Sequence, residues 1–174
     1  RAENLMIRVQ TFGSALDELH GFMLLNMIDS SKYKLIIRGC TALFDASYSG
    51  IGACLSYSKT LKSEGIGINA IHFVITDGED NHSVATPKMI KDMKDKALAN
   101  EEIESILSIL IGVNTSSCQD ALDKFKNDAG FDQFISVNDS SASSLAKIAN
   151  FVSKSISAQS QSLGSGGASK PITW

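Results

Sequence analysis

The residues best suited to chemistry are concentrated in Thr76-Asp77-Gly78-Glu79-Asp80-Asn81-His82, where acids, an amide and an imidazole follow one another without an apolar side chain. Carboxylates this close could hold a hard divalent cation, and Asp77 with Asp80 could support Mg²⁺-assisted hydrolysis of a phosphate or related substrate. The same residues fit a solvated turn, since Asp-Gly is a common turn dipeptide. Asp77-Gly-Glu-Asp-Asn81 lacks the alternating ligand spacing of an EF-hand, and His20, His72 and His82 pair on no helix as zinc ligands. Cys40 could be nominated as a nucleophile, but no readable motif ties a histidine to it, and a buried thiol is the simpler reading.

These residues need a scaffold. The apolar run Ile71 to Ile75 precedes them and is rich in β-branched residues, which predicts a strand covered on both faces, as in a parallel sheet. Thr76 and Asp77 then lie at its carboxyl end, where open α/β sheets place their ligands, and Gly78 permits the sharp turn. A carboxylate buried at that rim needs a partner or a cation.

Upstream, Leu5 to Gly13 alternates at strand period and, after a short turn, Leu16 to Leu25 returns as the second arm of an antiparallel hairpin. Leu35-Ile-Ile37 leads into Arg38-Gly-Cys-Thr41, with Thr41 the expected N-cap of a long helix. Gly50 and Gly52 within that helix predict close packing on the sheet. Gly65-Ile-Gly67 precedes a strand and opens no helix, so it is not a dinucleotide fingerprint. Downstream, Pro87 opens a helix with the stripe Met89, Ile90, Met93 and Ala97, and Ile103 to Val113 reads as another buried strand. A helix over Cys118 to Ala129 ends at Gly130, Phe134 to Val137 is a short strand, and Ala142 to Ser157 is a final helix burying Leu145, Ile148, Ala149, Val152 and Ile156. The alternation predicts a doubly wound, Rossmann-like α/β domain over residues 1–157. Residues 158–174 have the composition of a flexible Ser/Gly-rich linker ending on Trp174, the chain's single tryptophan.

Composition narrows the function classes. With 16 basic against 19 acidic residues and a net charge of −3, the chain carries no polyelectrolyte signal for nucleic acid. Its longest apolar runs fall well short of the roughly 20 residues a membrane span takes. The cysteines Cys40, Cys54 and Cys118 are widely spaced and odd in number, which suits a reducing, cytoplasm-like compartment while permitting one disulfide. The opening Arg1-Ala-Glu-Asn4 has no targeting pattern and no initiator Met, so the expectation is a chain beginning inside a longer product.

Two motifs resemble those of von Willebrand factor type A domains. Gly39-Cys-Thr-Ala-Leu-Phe-Asp-Ala46 is similar to the family's second-loop threonine motif, and Phe73-Val-Ile-Thr-Asp-Gly-Glu-Asp-Asn81 to its third-loop aspartate motif. The order and spacing of elements extend the resemblance to about Ser157. It implies a mostly parallel sheet with one antiparallel edge strand and a metal-ion-dependent adhesion site at the carboxyl rim. Thr41 and Asp77 match two of that site's ligands, and Mg²⁺ is the implied ion, completed by an acidic residue of a protein partner. Gly78, Glu79, Asp80 and His82 would border the partner. The implied role is non-enzymatic recognition; the alternative is a scaffold of the same fold without a working metal site.

The family's DxSxS motif belongs to a first, central strand that precedes the strand beginning near Leu5. Its expected source is a preceding segment of the full protein, another chain, loss of the element, or permutation. Permutation would use Asp139, Ser141 and Ser143 of the chain's own Asp139-Ser-Ser-Ala-Ser143, residues that are also ordinary helix caps.

Overall fold

The computed structural model describes residues 5–34, 39–164 and 171–174, with backbone only at 162–164; Leu35 to Arg38 lie outside the described residues. Strand β1 (Met6–Phe12) and strand β2 (Leu16–Leu24) form the expected antiparallel hairpin. Helix α1 (Leu43–Lys62), strand β3 (Asn69–Thr76), helix α2 (Pro87–Ala99), strand β4 (Ser105–Val113), helix α3 (Gln119–Asp128), strand β5 (Gln133–Val137) and helix α4 (Ala142–Gly164) follow. β3, β4 and β5 pair in parallel with β4 in the centre. The result is a mixed α/β fold with a Rossmann-like parallel sheet flanked by helices.

Alternating side chains of β4 divide the core. Ile106 and Leu110 join Ile51 and Leu55 of α1, Ile90 of α2 and Leu122 and Phe125 of α3 on one face. Leu107, Ile109 and Ile111 join Ile135 and Val137 of β5 and Ile148 and Phe151 of α4 on the other. Successive strand residues point to opposite faces, so an uninterrupted apolar run is what a doubly covered strand requires. Close packing of α1 is realised at Gly50, where an added Cβ would lie 2.9 Å from His72 Cδ2 and still closer to Nε2. Gly130, at φ +68°, ends the α3 region as a C′ glycine does.

Four features differ from the sequence expectation. The strands form two sheets, β1-β2 and β3-β4-β5, among the described residues, so the antiparallel arm is no edge of one continuous sheet. β3 is not covered evenly on both faces: Ile71 and Phe73 are half-buried against the α4-side core and Ile75, nearer the carboxyl end, is 50% exposed. On α4, Leu145 and Ala149 face solvent while Ile148 and Phe151 are buried, a shift of the apolar stripe around the helix. On α2, Met89 is likewise exposed.

Helix α4 also continues beyond Ser157 to Gly164, burying Ser155 and Gln159. Farther on, Ile172 packs beside Val152 against the α4-side core, and Trp174 meets Phe151 edge-on at 5.3 Å between ring centroids.

The hairpin and the parallel sheet share a covering helix. The carbonyl of Gly13, just past β1, accepts from Ala42 N at the start of α1 (2.9 Å), and Thr41 O accepts from Asn81 N in the loop after β3 (3.0 Å). The segments that follow β1 and β3 are thus both tied to the residues just before α1. Helix α1 spans both, with Tyr57 stacked on Phe22 of β2 at 4.5 Å and Gly50 against His72 of β3.

Candidate functional site

The rim is built around the N-terminus of α1, where Ala42 and Leu43 are buried and the first N–H groups have no partner within the helix. Thr41 is not the N-cap: the cap position is Ala42, with no capping side chain. Two of these donors are satisfied from the loop between β3 and α2. Ser83 Oγ accepts from Phe44 N and Asp45 N, both at 3.0 Å, and Asp80 Oδ1 accepts from Phe44 N at 3.2 Å. Ser83 Oγ in turn donates to Asp80 Oδ1. Asp45 reciprocates from the helix, its carboxylate accepting from Ala85 N at 2.7 Å and Val84 N at 3.1 Å. A carboxylate in the first turn also suits the positive end of the helix dipole.

Asn81 completes the staple. Its Oδ1 accepts from Thr41 N at 2.7 Å while its own N–H donates to Thr41 O, so the segment before α1 and the loop after β3 form one unit. Thr76 Oγ1 donates to Gly78 O at 2.8 Å and accepts from Gly78 N, folding the chain back at the strand end. The rim backbone is thus pinned at both ends while Asp77, Glu79 and His82 remain exposed. Because Asp77 is exposed, the burial cost that would oblige it to take a partner does not arise.

The acidic loop also reaches the start of α3. The Cys118 thiol is pushed up from its ordinary pKa by desolvation and then by the nearby carboxylates of Glu79 and Asp77, which disfavour the thiolate. Cys54, on α1, is pushed up to about 11 by burial, with the opposing pull of Arg8 too small to reverse it. Neither is poised as a nucleophile. All three cysteines are free thiols, so the disulfide that the sequence permits does not form.

Of the sequence-expected residues, Thr41, Asp77, Gly78, Glu79, Asp80 and His82 all lie on this rim, but they differ in availability. Asp80 is engaged in capping α1. Among the described residues no group of three or more His, Cys, Asp or Glu side chains could hold a metal ion. Thr41 and Asp77 supply two oxygen donors, short of what a Mg²⁺ octahedron takes from protein and partner, so the residues present do not by themselves fit the ion. Asp139 Oδ1 accepts from Ser141 N at 2.8 Å and Ser141 Oγ from Ser144 N, a cap on α4 that lowers the Asp139 pKa chiefly through Ser141.

Sequence reasoning missed Asn81, Ser83 and Asp45. Asp45 carries a readable signal as an acid in the first turn of a helix. Asn81 and Ser83 carry none, because the groups they satisfy lie some 40 residues away in sequence. No protein-family model matches the chain, and the search of curated proteins finds no match either.

Proposed function

We propose that the chain is a protein-interaction module resembling von Willebrand factor type A domains, with the rim of Thr41, Asp77, Gly78, Glu79 and His82 as its binding face. The observation that carries the reading is the stapled loop: Asn81, Asp80, Ser83 and Asp45 fix its backbone against α1 while Asp77 and Glu79 stay exposed. Fixing a loop before binding lowers the entropy that recognition must offset. Catalysis by an Asp77 and Asp80 pair is disfavoured because Asp80 is occupied in capping.

In this reading an acidic partner residue is recognised through Mg²⁺ only when further oxygen donors join Thr41 and Asp77 from outside the described residues. The small number of oxygen donors among the described residues favours the second reading, a scaffold of the same fold that works without metal. Amide chemical shifts of the ¹⁵N-labelled chain under Mg²⁺ titration separate them. The first reading expects weak, millimolar changes confined to Thr41 and Asp77 to Glu79, abolished by Asp77→Ala. Unmoved rim signals, or changes indifferent to Asp77→Ala, would leave the scaffold.

A further inference from the structure

Trp174, the chain's single tryptophan, has no part in the rim reading. Its ring stands edge-on to Phe151 of α4, with 5.3 Å between centroids and 71° between planes. Ile172, two residues earlier, is half-buried against the cluster that holds Ile148 and Phe151. The Ile172 carbonyl lies between the two side chains along the backbone and accepts from Gln133 Nε2, at the start of β5, at 3.2 Å. Alternate side chains turned to one surface, with a backbone carbonyl held by a side-chain amide, are how an extended peptide sits in a docking site.

The segment is seated, yet few contacts hold it. Among the described residues no backbone–backbone hydrogen bond joins residues 171–174 to the rest of the chain. Trp174 is 46% exposed, and a groove of about 480 Å³ runs along the segment beside Ser157 and Ala158 of α4. Segments with few buried apolar contacts open locally at far less than the global unfolding free energy. The surface beneath is of another kind, since Phe151 is only 4% exposed and belongs to the α4-side core. Lifting the segment would bare that ring to water, and an apolar ligand that covers it again is favoured.

We infer that residues 172–174 are a detachable latch, the in-cis ligand of a peptide-docking site formed by α4 and the start of β5. The ligand class is an extended peptide with a branched aliphatic residue two positions before an aromatic one. The aliphatic residue takes the place of Ile172 on the α4-side core, the aromatic one meets Phe151 edge-on, and Gln133 reads the carbonyl between them. Because the latch belongs to the same chain, it competes at an effective concentration of roughly millimolar order. A free peptide of the same type must reach that concentration, or add contacts of its own, to displace it. The site uses none of the residues of the 77–85 loop, so the inference stands whether or not the rim binds a partner.

The test uses the 174-residue chain, in which tryptophan emission reports Trp174 alone. Ile172→Asp should move that emission to the wavelength of the free peptide Ser-Lys-Pro-Ile-Thr-Trp. Acrylamide quenching should rise by about twofold as a ring 46% exposed becomes fully exposed. In the parent chain under urea, the emission should shift before the far-UV circular dichroism does. Added Ser-Lys-Pro-Ile-Thr-Phe, which carries no tryptophan, should displace Trp174 at roughly millimolar concentration, and Ser-Lys-Pro-Asp-Thr-Phe should not. Parent emission already equal to that of the free peptide, or unmoved by Ile172→Asp, would overturn the docked segment. Coincident urea transitions would make residues 172–174 part of the cooperative core instead of a latch. Release by Ile172→Asp without displacement by the phenylalanine peptide would overturn the docking site. A shift in parent emission that follows chain concentration without peptide would overturn the in-cis occupant in favour of the same segment of a second copy.

Discussion

β4 and β1 are both strands rich in apolar residues, yet every interior residue of β4 is buried and no residue of β1 is. The difference lies in neighbours. β4 has a strand on each side and helices over both faces, whereas β1 has, among the described residues, one paired edge and one helix. Burial in a sheet is a property of position in the layers as much as of the strand's own residues, and β3 shows the intermediate case, with one open edge and a half-uncovered face.

The largest expected effect sharpens this contrast. Leu110→Ala in β4 removes a fully buried side chain from the α1–α3 core and should cost about 2–5 kcal/mol of unfolding free energy. Val9→Ala in β1, where the side chain is only half-buried, should cost less than about 1 kcal/mol. Urea melts of the two variants compare them directly. Equal losses would mean that the hairpin shares the core's cooperativity and that its exposure misrepresents its role.

The next prediction concerns His72 of β3, buried beneath α1. Burial first, then the positive charges of Lys94 and Arg8, lower its pKa to about 4 from the ordinary 6.5. Between those values the unfolded state binds the proton and the folded state does not. Stability from this group is therefore complete above pH 6.5 and lost as pH falls toward 4, by about 3 kcal/mol in total. Urea melts across this window should show a steeper decline for the parent chain than for His72→Leu. Parallel curves would mean that His72 gains a proton, or water, in the folded state.

Gly50→Ala sets α1 against β3 directly. The new methyl group would collide with the His72 ring, which is held between α1 and the Phe131 ring at 6.0 Å, and should cost about 1–3 kcal/mol. Thermal melts check the size of the loss. Gly52→Ala is the control, because its Cβ would meet only Met93 Sδ at 3.9 Å, and it should be neutral or mildly stabilising as a better helix former. A loss equal to that of Gly50→Ala would point to helix geometry instead of contact with the sheet.

What the sequence made legible follows from the range of the forces involved. Elements ruled by local periodicity or by one special residue could be read: the β1-β2 hairpin, Pro87 opening α2, the β4 run, and Gly130 after α3. Close packing at Gly50 could also be anticipated, since a glycine in a helix interior calls for a compensating neighbour. The residue identities did not reveal which strands would lack a partner, and β3 was therefore expected to be covered on both faces. Within the candidate site, Asp77 and Glu79 stood out by composition. The division of labour between exposed Asp77 and engaged Asp80 depends on where α1 begins, and Ala42 offers no side chain to mark it.

The smallest expected effect tests that division of labour. Ser83 Oγ accepts from two N–H groups at the start of α1 and also donates to Asp80, so Ser83→Ala leaves donors short of a partner at an end that has no cap of its own. Loss of a helix cap costs typically about 1 kcal/mol. The consequence should be local: hydrogen exchange should quicken at Phe44 and Asp45 and across the 77–85 loop while β4 is unaffected. Ser83→Thr, which keeps the hydroxyl, should restore protection. If the loop stays protected in Ser83→Ala, Asp80 and Asn81 suffice to hold it. If β4 loosens as well, the rim is not a separable binding face but part of the same cooperative unit as the parallel sheet.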